Sequence, residues 1–346
     1  MLPVLTAIGA MACVVALGWV IQRTGLLAGR ERGGAGDDGG GARQVLATLS
    51  FTICAPALMF STLASTDLAH VLSRGAVVTW ATTGALGLVT AVVARWLLRL
   101  SAGPAAVTTL AAVYVNGGNI GIPLAVYLFD DALAVVPTLL FQLLVLAPLA
   151  LSVLDRSTGR ATAPSGARAA GHVLLAAFRN PITVGTVAGL LVAVAGELTG
   201  ARLPDVVLLP FDLIGAAAPP LGLLTFGMTL AVPLPPADVG AGVAASAGSV
   251  GRGSVGRGSV GRVIVLAVLV RNLLHPLAAW ALGSALGVDG TALALVVTMA
   301  ALPTAVNVTT YATRYGVFDG VAARATVWTT ALCVPTLITT AALLPR

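Results

Sequence analysis

Long apolar runs alternate along the chain with short segments that carry most of its charges, glycines and prolines. Each of ten runs is close to the ~20 residues that an α-helix needs to cross the hydrocarbon core of a bilayer. A soluble α/β protein would instead alternate short buried strands with polar helices. The pattern predicts an all-α integral membrane protein whose ten spans, numbered in chain order, lie near 3–21, 44–64, 75–94, 105–128, 133–154, 180–199, 206–231, 262–287, 290–313 and 322–344.

Composition and charge also favour a membrane location. Hydrophobic residues fill 58% of the 346 positions and charged residues only 9%, whereas about a quarter of a soluble domain is charged. The formal net charge is +6, and all 19 basic residues are arginine. These arginines lie between apolar runs instead of clustering on one face with aromatic residues, which argues against nucleic acid as a partner. Membrane lipids are the expected surroundings.

The arginines also predict an orientation. Fifteen of them fall in the odd-numbered loops, three on the opposite side and one inside a span. An excess of Lys and Arg marks the cytoplasmic side of a membrane protein. We therefore expect an even number of spans in the cell (plasma or inner) membrane, with both termini extracytoplasmic. The first apolar run has no basic segment before it, so a cleaved signal peptide is not expected.

A weak internal repeat relates the two halves of the chain. The segment Ala55–Leu58 in span 2 corresponds to Ala218–Leu221 in span 7, and the proline-containing span 4 corresponds to span 9. Each half has five spans, an odd number, so the second half must enter the membrane upside down. The sequence thus predicts two inverted five-helix repeats in which helices 4 and 9 are broken, an architecture of many secondary transporters.

The two breaks contain the candidate substrate-binding residues. Span 4 holds Asn116–Pro123 and span 9 holds Leu302–Asn307. In a helix interior glycine costs about 1 kcal/mol and proline about 3 kcal/mol. One isolated proline is usually a packing kink, but a matched pair of breaks indicates a site near the bilayer midplane, where half-helix N-termini suit an anion. The candidates are Asn116, Asn119, Gly121, Pro123, Pro303, Thr304 and Asn307.

Four other polar residues within spans are candidates for ion coupling or anion contact. Such residues are costly in lipid and serve as functional hypotheses. Arg271 in span 8 either binds a substrate carboxylate or extends toward the cytoplasmic interface. His275 in the same span either titrates or packs as a neutral ring. Asp212 in span 7 either couples protons or reaches the outer water, and Gln142 in span 5 has interhelical hydrogen bonding as its alternative.

Motifs of catalysis and ATP hydrolysis are absent from the sequence. It contains no GxSxG, HExxH or Walker A motif and no pair of carboxylates within a span, which argues against an enzyme or an ATP-driven pump. The cysteines Cys13, Cys54 and Cys333 lie in apolar runs without metal-ligand spacing, so buried thiols and no metal site are expected. No cofactor is expected. The coupling ion, H⁺ or Na⁺, is left open.

Several segments resemble the auxin efflux carrier family of PIN-like transporters, within the bile/arsenite/riboflavin transporter superfamily. They are Cys54–Phe60, Asn116–Pro123, Phe178–Pro181, Ala218–Leu230 and Leu302–Gly316. The octapeptide of span 4 is the most specific of them. The resemblance covers nearly the whole chain and implies that helices 4 and 9 cross where the substrate is held.

The resemblance also implies a division into scaffold and transport parts that work by elevator-type alternating access. Repeated GSVGR segments predict a flexible cytoplasmic linker between spans 7 and 8. The expected parts are scaffold 1–70 and 158–240, transport domain 71–157 and 262–346, and linker 241–261.

The function implied by the resemblance is secondary transport of a small organic anion, auxin-like or a mono- or dicarboxylate, with a homodimer formed through the scaffold. The alternatives are a sodium-coupled carrier like the bile acid symporters, and a channel-like or receptor-like membrane protein.

Overall fold

The computed structural model of the protein describes residues 2–27, 40–66, 73–159, 181–232 and 257–343. Within these ranges all regular elements are helices, apart from one isolated β-bridge. The predicted all-α class is confirmed. In chain order the helices are α1 (Leu2–Thr24), α2 (Gly40–Leu49, continued through Ser50–Cys54 and Ala55–Ala64), α3 (Arg74–Leu97), α4 (Ala102–Val113), α5 (Gly117–Phe129), α6 (Ala132–Ser157), α7 (Pro181–Thr199), α8 (Asp205–Gly215), α9 (Ala218–Leu230), α10 (Arg257–Leu269, continued through Val270–Leu274 and His275–Ala285), α11 (Gly290–Ala300), α12 (Val306–Tyr315) and α13 (Asp319–Leu343).

Many of these helices have the length and hydropathy of membrane spans. Seven stretches of described helix qualify, namely α2, α3, α6, α7, α8 with α9, α10, and α13. Shorter apolar helices are α4, α5, α11 and the part of α1 from Gly9 onward. These lengths fit a chain that crosses a bilayer several times. Each predicted span overlaps one helix or a pair of consecutive helices.

Some predictions concern residues outside the described ranges. Helix α10 begins at Arg257, inside the predicted linker 241–261, and residues 241–256 lie outside. Residues 178–180 of the motif Phe178–Pro181 also lie outside. The same holds for the loop and terminal arginines Arg30, Arg32, Arg160, Arg168, Arg179, Arg252 and Arg346.

The chain folds into two compact units. The first unit comprises Met1–Ser73, Gly117–Leu139 and Phe178–Pro233, and so contains α1, α2, α5, the start of α6, and α7 to α9. The second unit comprises Arg74–Asn116, Leu140–Ala177 and Leu234–Arg346, and contains α3, α4, the rest of α6, and α10 to α13.

Helices in the first unit pack through glycine. A Cβ atom built on Gly227 of α9 would lie 1.9 Å from the carbonyl oxygen of Val15 in α1. A Cβ on Gly185 or Gly189, four residues apart on α7, would lie 2.4 Å or 2.7 Å from a carbonyl oxygen of α2. Lipid gives apolar helices no hydrophobic reason to associate, so close backbone approach through small residues provides their contact. No side chain fits at these crossings.

The second unit has an apolar core built from its own helices. Leu110 of α4, Leu154 of α6 and Val308 of α12 are buried in one cluster. Between the ends of α6 and α12, the hydroxyl of Tyr315 donates a hydrogen bond to the carboxylate of Asp155 at 2.8 Å. This core fixes the positions of the chain segments that follow α4 and precede α12.

Many threonine hydroxyls in the helices are satisfied within their own helix. Thr82 and Thr90 on α3 and Thr186 on α7 each donate to the carbonyl oxygen four residues earlier, at 2.7 Å. This bond within the same helix is the usual solution for Ser and Thr where water is absent. Such threonines therefore need no functional explanation.

The prediction for the cysteines is wrong for one of the three. Cys54 and Cys333 are buried, but Cys13 is exposed on α1. The outer face of a membrane helix meets lipid, where a thiol behaves as a small hydrophobic group much as it does in a protein core. An apolar run therefore does not show which face of a helix a cysteine occupies.

Candidate functional site

The break in span 4 lies at the N-terminal edge of the octapeptide that predicted it and extends two residues before it. Helix α4 ends at Val113, residues 114–116 are non-helical, and Gly117–Gly121 already forms a π-helical turn that leads into Ile122–Phe129. Pro123 lies in the first turn of that α-helical segment. The π-turn leads directly into Pro123, and local π adjustments of this kind let membrane helices tolerate proline and glycine. The expectation that Asn116–Pro123 as a whole resists helix formation is therefore corrected.

The break in span 9 lies where the sequence predicts it. Helix α11 ends at Ala300, residues 302–305 are non-helical, and α12 begins at Val306. Pro303 and Thr304 belong to the non-helical segment, while Asn307 is in the first turn of α12. Thr304 is completely buried and Asn307 is partly exposed.

The second unit brings the two non-helical segments together as a short antiparallel bridge. Val115 pairs with Thr304. The Asn116 N–H donates to the Pro303 carbonyl at 2.8 Å, and the Ala305 N–H donates to the Tyr114 carbonyl at 3.0 Å. Each break thus supplies hydrogen-bond partners to the other, as backbone groups away from water require.

Side chains from the following helices satisfy the central N–H groups of this bridge. The Val115 N–H donates to the Gln142 side-chain oxygen on α6. The Thr304 N–H donates to the hydroxyl of Thr329 on α13 at 3.1 Å. Gln142 and Thr329 have corresponding positions in the chain, because α6 follows the broken pair α4 and α5, and α13 follows the broken pair α11 and α12. The acceptor oxygen of Gln142 is therefore used in a structural hydrogen bond to the main chain of the break.

Helix-end carbonyls near the bridge also receive side-chain donors. The Thr304 hydroxyl donates to the Ala111 carbonyl, in the last turn of α4, at 2.6 Å. Arg271 Nη2 donates to the Ala300 carbonyl, at the end of α11, at 2.6 Å. Carbonyls at helix C-termini lack intrahelical partners. Both bonds therefore stabilise the helix ends on either side of the bridge.

Arg271 and His275 form a buried polar group on α10. Both are at most 2% exposed. Arg271 Nη2 also contacts Nδ1 of His275, and Nε2 of His275 lies 3.2 Å from the Thr83 hydroxyl on α3. Arg271 Nε and Nη1 have no hydrogen-bond partner among the described residues. Arg271 lies in the π-turn Val270–Leu274, a helical irregularity frequent at functional sites.

An aromatic pair beside the bridge was not predicted from the sequence. The rings of Tyr114 and Tyr311 are edge to face, with centroids 6.3 Å apart. The Tyr114 side chain also interacts with the side chain of Asn307. Tyr311 is four residues after Asn307 on α12, so helical spacing was the available signal. Tyr114 is buried, whereas Tyr311 and Asn307 are partly exposed.

The remaining candidates lie in the first unit. Asn119 is partly exposed in the π-turn, and its backbone passes close to Gly222 of α9. Gly121 and Pro123 are buried at the start of the α-helical part of α5. Asp212 is exposed near the end of α8. The structure therefore gathers Asn116, Pro303, Thr304, Asn307, Gln142, Arg271 and His275 in the second unit, and places Asn119, Gly121, Pro123 and Asp212 in the first.

Comparison with known proteins shows to which family the chain belongs. A search of curated proteins finds no match to the chain. The sequence model of a family described as "Membrane transport protein" matches residues 14–340, which is nearly the whole chain. Its members are multi-pass membrane transporters rather than enzymes. The chain belongs to this family, the membrane transport proteins of the auxin efflux carrier type.

Proposed function

We propose that this membrane transporter is a secondary carrier of a small organic anion, whose site lies beside the Val115–Thr304 bridge. The observation that supports the site is the pairing of two helix breaks within one unit. Irregular backbone at membrane depth is tolerated where it is buried in protein or lines a cavity, and broken helices hold substrates in many carriers.

Polar groups beside the bridge suit an oxygen-rich ligand. Asn116 is buried in the extended segment, and Asn307 in the first turn of α12 is partly exposed. The hydroxyl groups of Tyr114 and Tyr311 add donors, and the Tyr114 side chain interacts with those of Tyr311 and Asn307. The N-terminus of α12 contributes a partial positive charge. These groups are the ones that a carboxylate-bearing substrate needs for hydrogen bonding.

The electrostatics of the second unit favour an anion. Arg271 is buried and pairs with no carboxylate of the described residues. An uncompensated positive charge in a medium of low dielectric constant acts over longer distances than in water. A substrate anion near the bridge would lower the energy of that charge, whereas a cationic substrate would raise it. Arg271 therefore supports the anion class through its field, without a direct contact.

The finer architecture belongs to the same proposal. We propose ten spans arranged as two inverted five-helix repeats, with α4–α5 and α11–α12 as the broken helices and with elevator-type alternating access. The matched roles of Gln142 and Thr329 at the two breaks support the repeat. A location in the cell membrane, extracytoplasmic termini and a homodimer remain parts of this proposal.

Transport by purified protein in liposomes tests the function directly. Uptake of a panel of labelled mono- and dicarboxylates should saturate and should show counterflow, since external labelled substrate accumulates against its gradient when unlabelled substrate is trapped inside. A channel gives uptake without counterflow, and a receptor gives binding without uptake. Sodium-stimulated uptake of a bile acid would instead favour the symporter alternative.

A variant pair tests the site. Asn116→Ala should lower uptake at least about tenfold, because loss of one bond to a charged ligand costs about 1.5–3 kcal/mol. Gln44→Ala removes a carboxamide that is exposed on α2 and should transport normally. Equal uptake by the two variants at equal protein in the membrane would contradict the proposed site.

A further inference from the structure

The C-terminal end of half-helix α11 has an unusual partner. The helix ends at Ala300, and the chain becomes non-helical after Ala301. A helix C-terminus has carbonyls without intrahelical partners and a partial negative charge. In carriers with broken helices such ends coordinate the coupling cation. Here the Ala300 carbonyl accepts a hydrogen bond from Arg271 Nη2 at 2.6 Å, so a cation of the protein itself lies at this end.

Two neighbours hold the guanidinium in place without adding charge. Arg271 Nη2 also donates to Nδ1 of His275, one turn along α10. A guanidinium has no acceptor, so Nδ1 accepts and the ring proton lies on Nε2. That Nε2 is 3.2 Å from the Thr83 hydroxyl, which can accept it. The network assigns His275 as a neutral ring, and Arg271 as the charge of this group.

Among the described residues, no acidic side chain pairs with the guanidinium. Arg271 is 0% exposed, and neither Nε nor Nη1 has a hydrogen-bond partner in the described part of the chain. The Cys333 thiol, buried on α13, is a neighbour of the guanidinium, and a neutral thiol adds no compensating charge. Carbonyl and imidazole dipoles therefore stabilise this charge, as they would stabilise a bound metal cation.

The other break explains why an arginine is needed. The Ala111 carbonyl, four residues before Val115, is bonded by the Thr304 hydroxyl. The Ala300 carbonyl lies four residues before Thr304, which pairs with Val115. Val115 and Thr304 are directly opposite in the antiparallel bridge, so their side chains project on the same face. The Val115 side chain has no hydroxyl that could donate to the Ala300 carbonyl. Arg271 thus serves the carbonyl that Val115 leaves without a donor.

Resting on the proposed transport function, we propose that Arg271 is the resident cation of the α11–α12 break. It is a positioning residue that fills the role of a coupling cation at the end of α11 and makes transport independent of sodium. Removing its side chain leaves a vacated cation site beside Ala300 and His275. A small planar cation then restores what the side chain supplied.

The first test uses thermal stability of the purified protein and needs no substrate. Arg271→Ala should unfold at a lower temperature, and millimolar methylguanidinium should raise its midpoint while leaving the wild type unchanged. Arg95→Ala is the matched control, since Arg95 also donates to a backbone carbonyl, that of Leu100, but from an exposed position. No response of Arg271→Ala to methylguanidinium, or an equal response of Arg95→Ala, would overturn the proposal.

The second test uses uptake by the wild type and remains informative if Arg271→Ala does not fold. Replacing sodium by N-methyl-D-glucamine should change the initial rate less than twofold, and a loss of fivefold or more would contradict a resident cation. In Arg271→Ala, methylguanidinium should recover at least about threefold in rate. A large loss of substrate affinity in Arg271→Ala, with unchanged stability and no recovery, would identify a direct substrate contact instead. If the wild type transports no anion, the proposed function fails while the stability test still decides the role of Arg271.

Discussion

The two units use opposite means to hold their helices together. In the first unit, glycines bring backbones so close that a Cβ on Gly227 would lie 1.9 Å from a carbonyl oxygen. In the second unit, buried side chains of Thr304, Gln142 and Thr329 reach across to backbone groups that the helix breaks expose. Helices without breaks need only close packing, whereas broken helices need specific donors and acceptors. The comparison predicts that the first unit is sensitive to added volume and the second to lost hydrogen bonds.

The largest expected effect is on the glycine contacts. Gly227→Leu should separate α1 from α9 and destabilise the protein by more than about 2 kcal/mol, the upper part of the usual range for overpacking, because the clash is with backbone. Thermal unfolding and the yield of monodisperse protein measure it. Gly9→Leu on α1 is the control, since no atom lies within 4 Å of its added Cβ. Equal stability of the two variants would contradict the conclusion that the first unit is sensitive to added volume.

A smaller effect is expected at the bridge. Thr304→Val keeps the side-chain shape but leaves the Ala111 carbonyl without its donor, which costs about 1–3 kcal/mol for a buried group. We expect a lower unfolding midpoint together with reduced uptake. Thr310→Val removes an exposed hydroxyl that bonds only within its own helix, and should change neither. Equal stability of Thr304→Val and Thr310→Val would contradict the conclusion that the second unit is sensitive to the loss of these hydrogen bonds.

The smallest effect on stability is expected at the aromatic pair. Tyr311→Phe keeps the edge-to-face ring contact and removes one partly exposed hydroxyl, so stability should change by less than about 1 kcal/mol. Under the proposed function the apparent affinity for the anion should fall about three- to tenfold. Concentration series of uptake separate affinity from maximal rate. Tyr127→Phe, at an exposed position on α5, provides the control, and equal affinities would place Tyr311 outside the site.

Hydropathy predicted the helices well because each bilayer span imposes a length and an apolar composition on its segment. The position of the first break was less accurate, since helix propensity assigns the same cost to Pro123 wherever it stands, whereas the π-turn before it accommodates the proline within the helix. The second break was located at Leu302–Asn307 because Pro303 lies in the non-helical segment itself. Local propensity therefore detects a break but positions it only within a few residues.

The partners of the candidate site could not be predicted from local patterns. Thr329 lies in an ordinary apolar run, and nothing in that run shows that its hydroxyl accepts from Thr304. Tyr114, directly after α4, and Tyr311 on α12 meet only when α4 and α12 have the right rotations about their own axes. A nearly uniform apolar segment has no polar face to fix that rotation, as the exposed Cys13 also illustrates. Asn116 and Thr304 became candidates because they stand in the breaks themselves.

The bridge between the two breaks is formed by main-chain atoms of Tyr114, Asn116, Pro303 and Ala305. Main-chain groups are the same in every residue, except for the missing N–H of proline. Substitutions at Asn116 or Ala305 can thus change the side chains beside the bridge while its main-chain hydrogen bonds persist. Under the proposed function, such a bridge is a fixed frame with exchangeable side chains, so that a new substrate can be selected in evolution without a new fold.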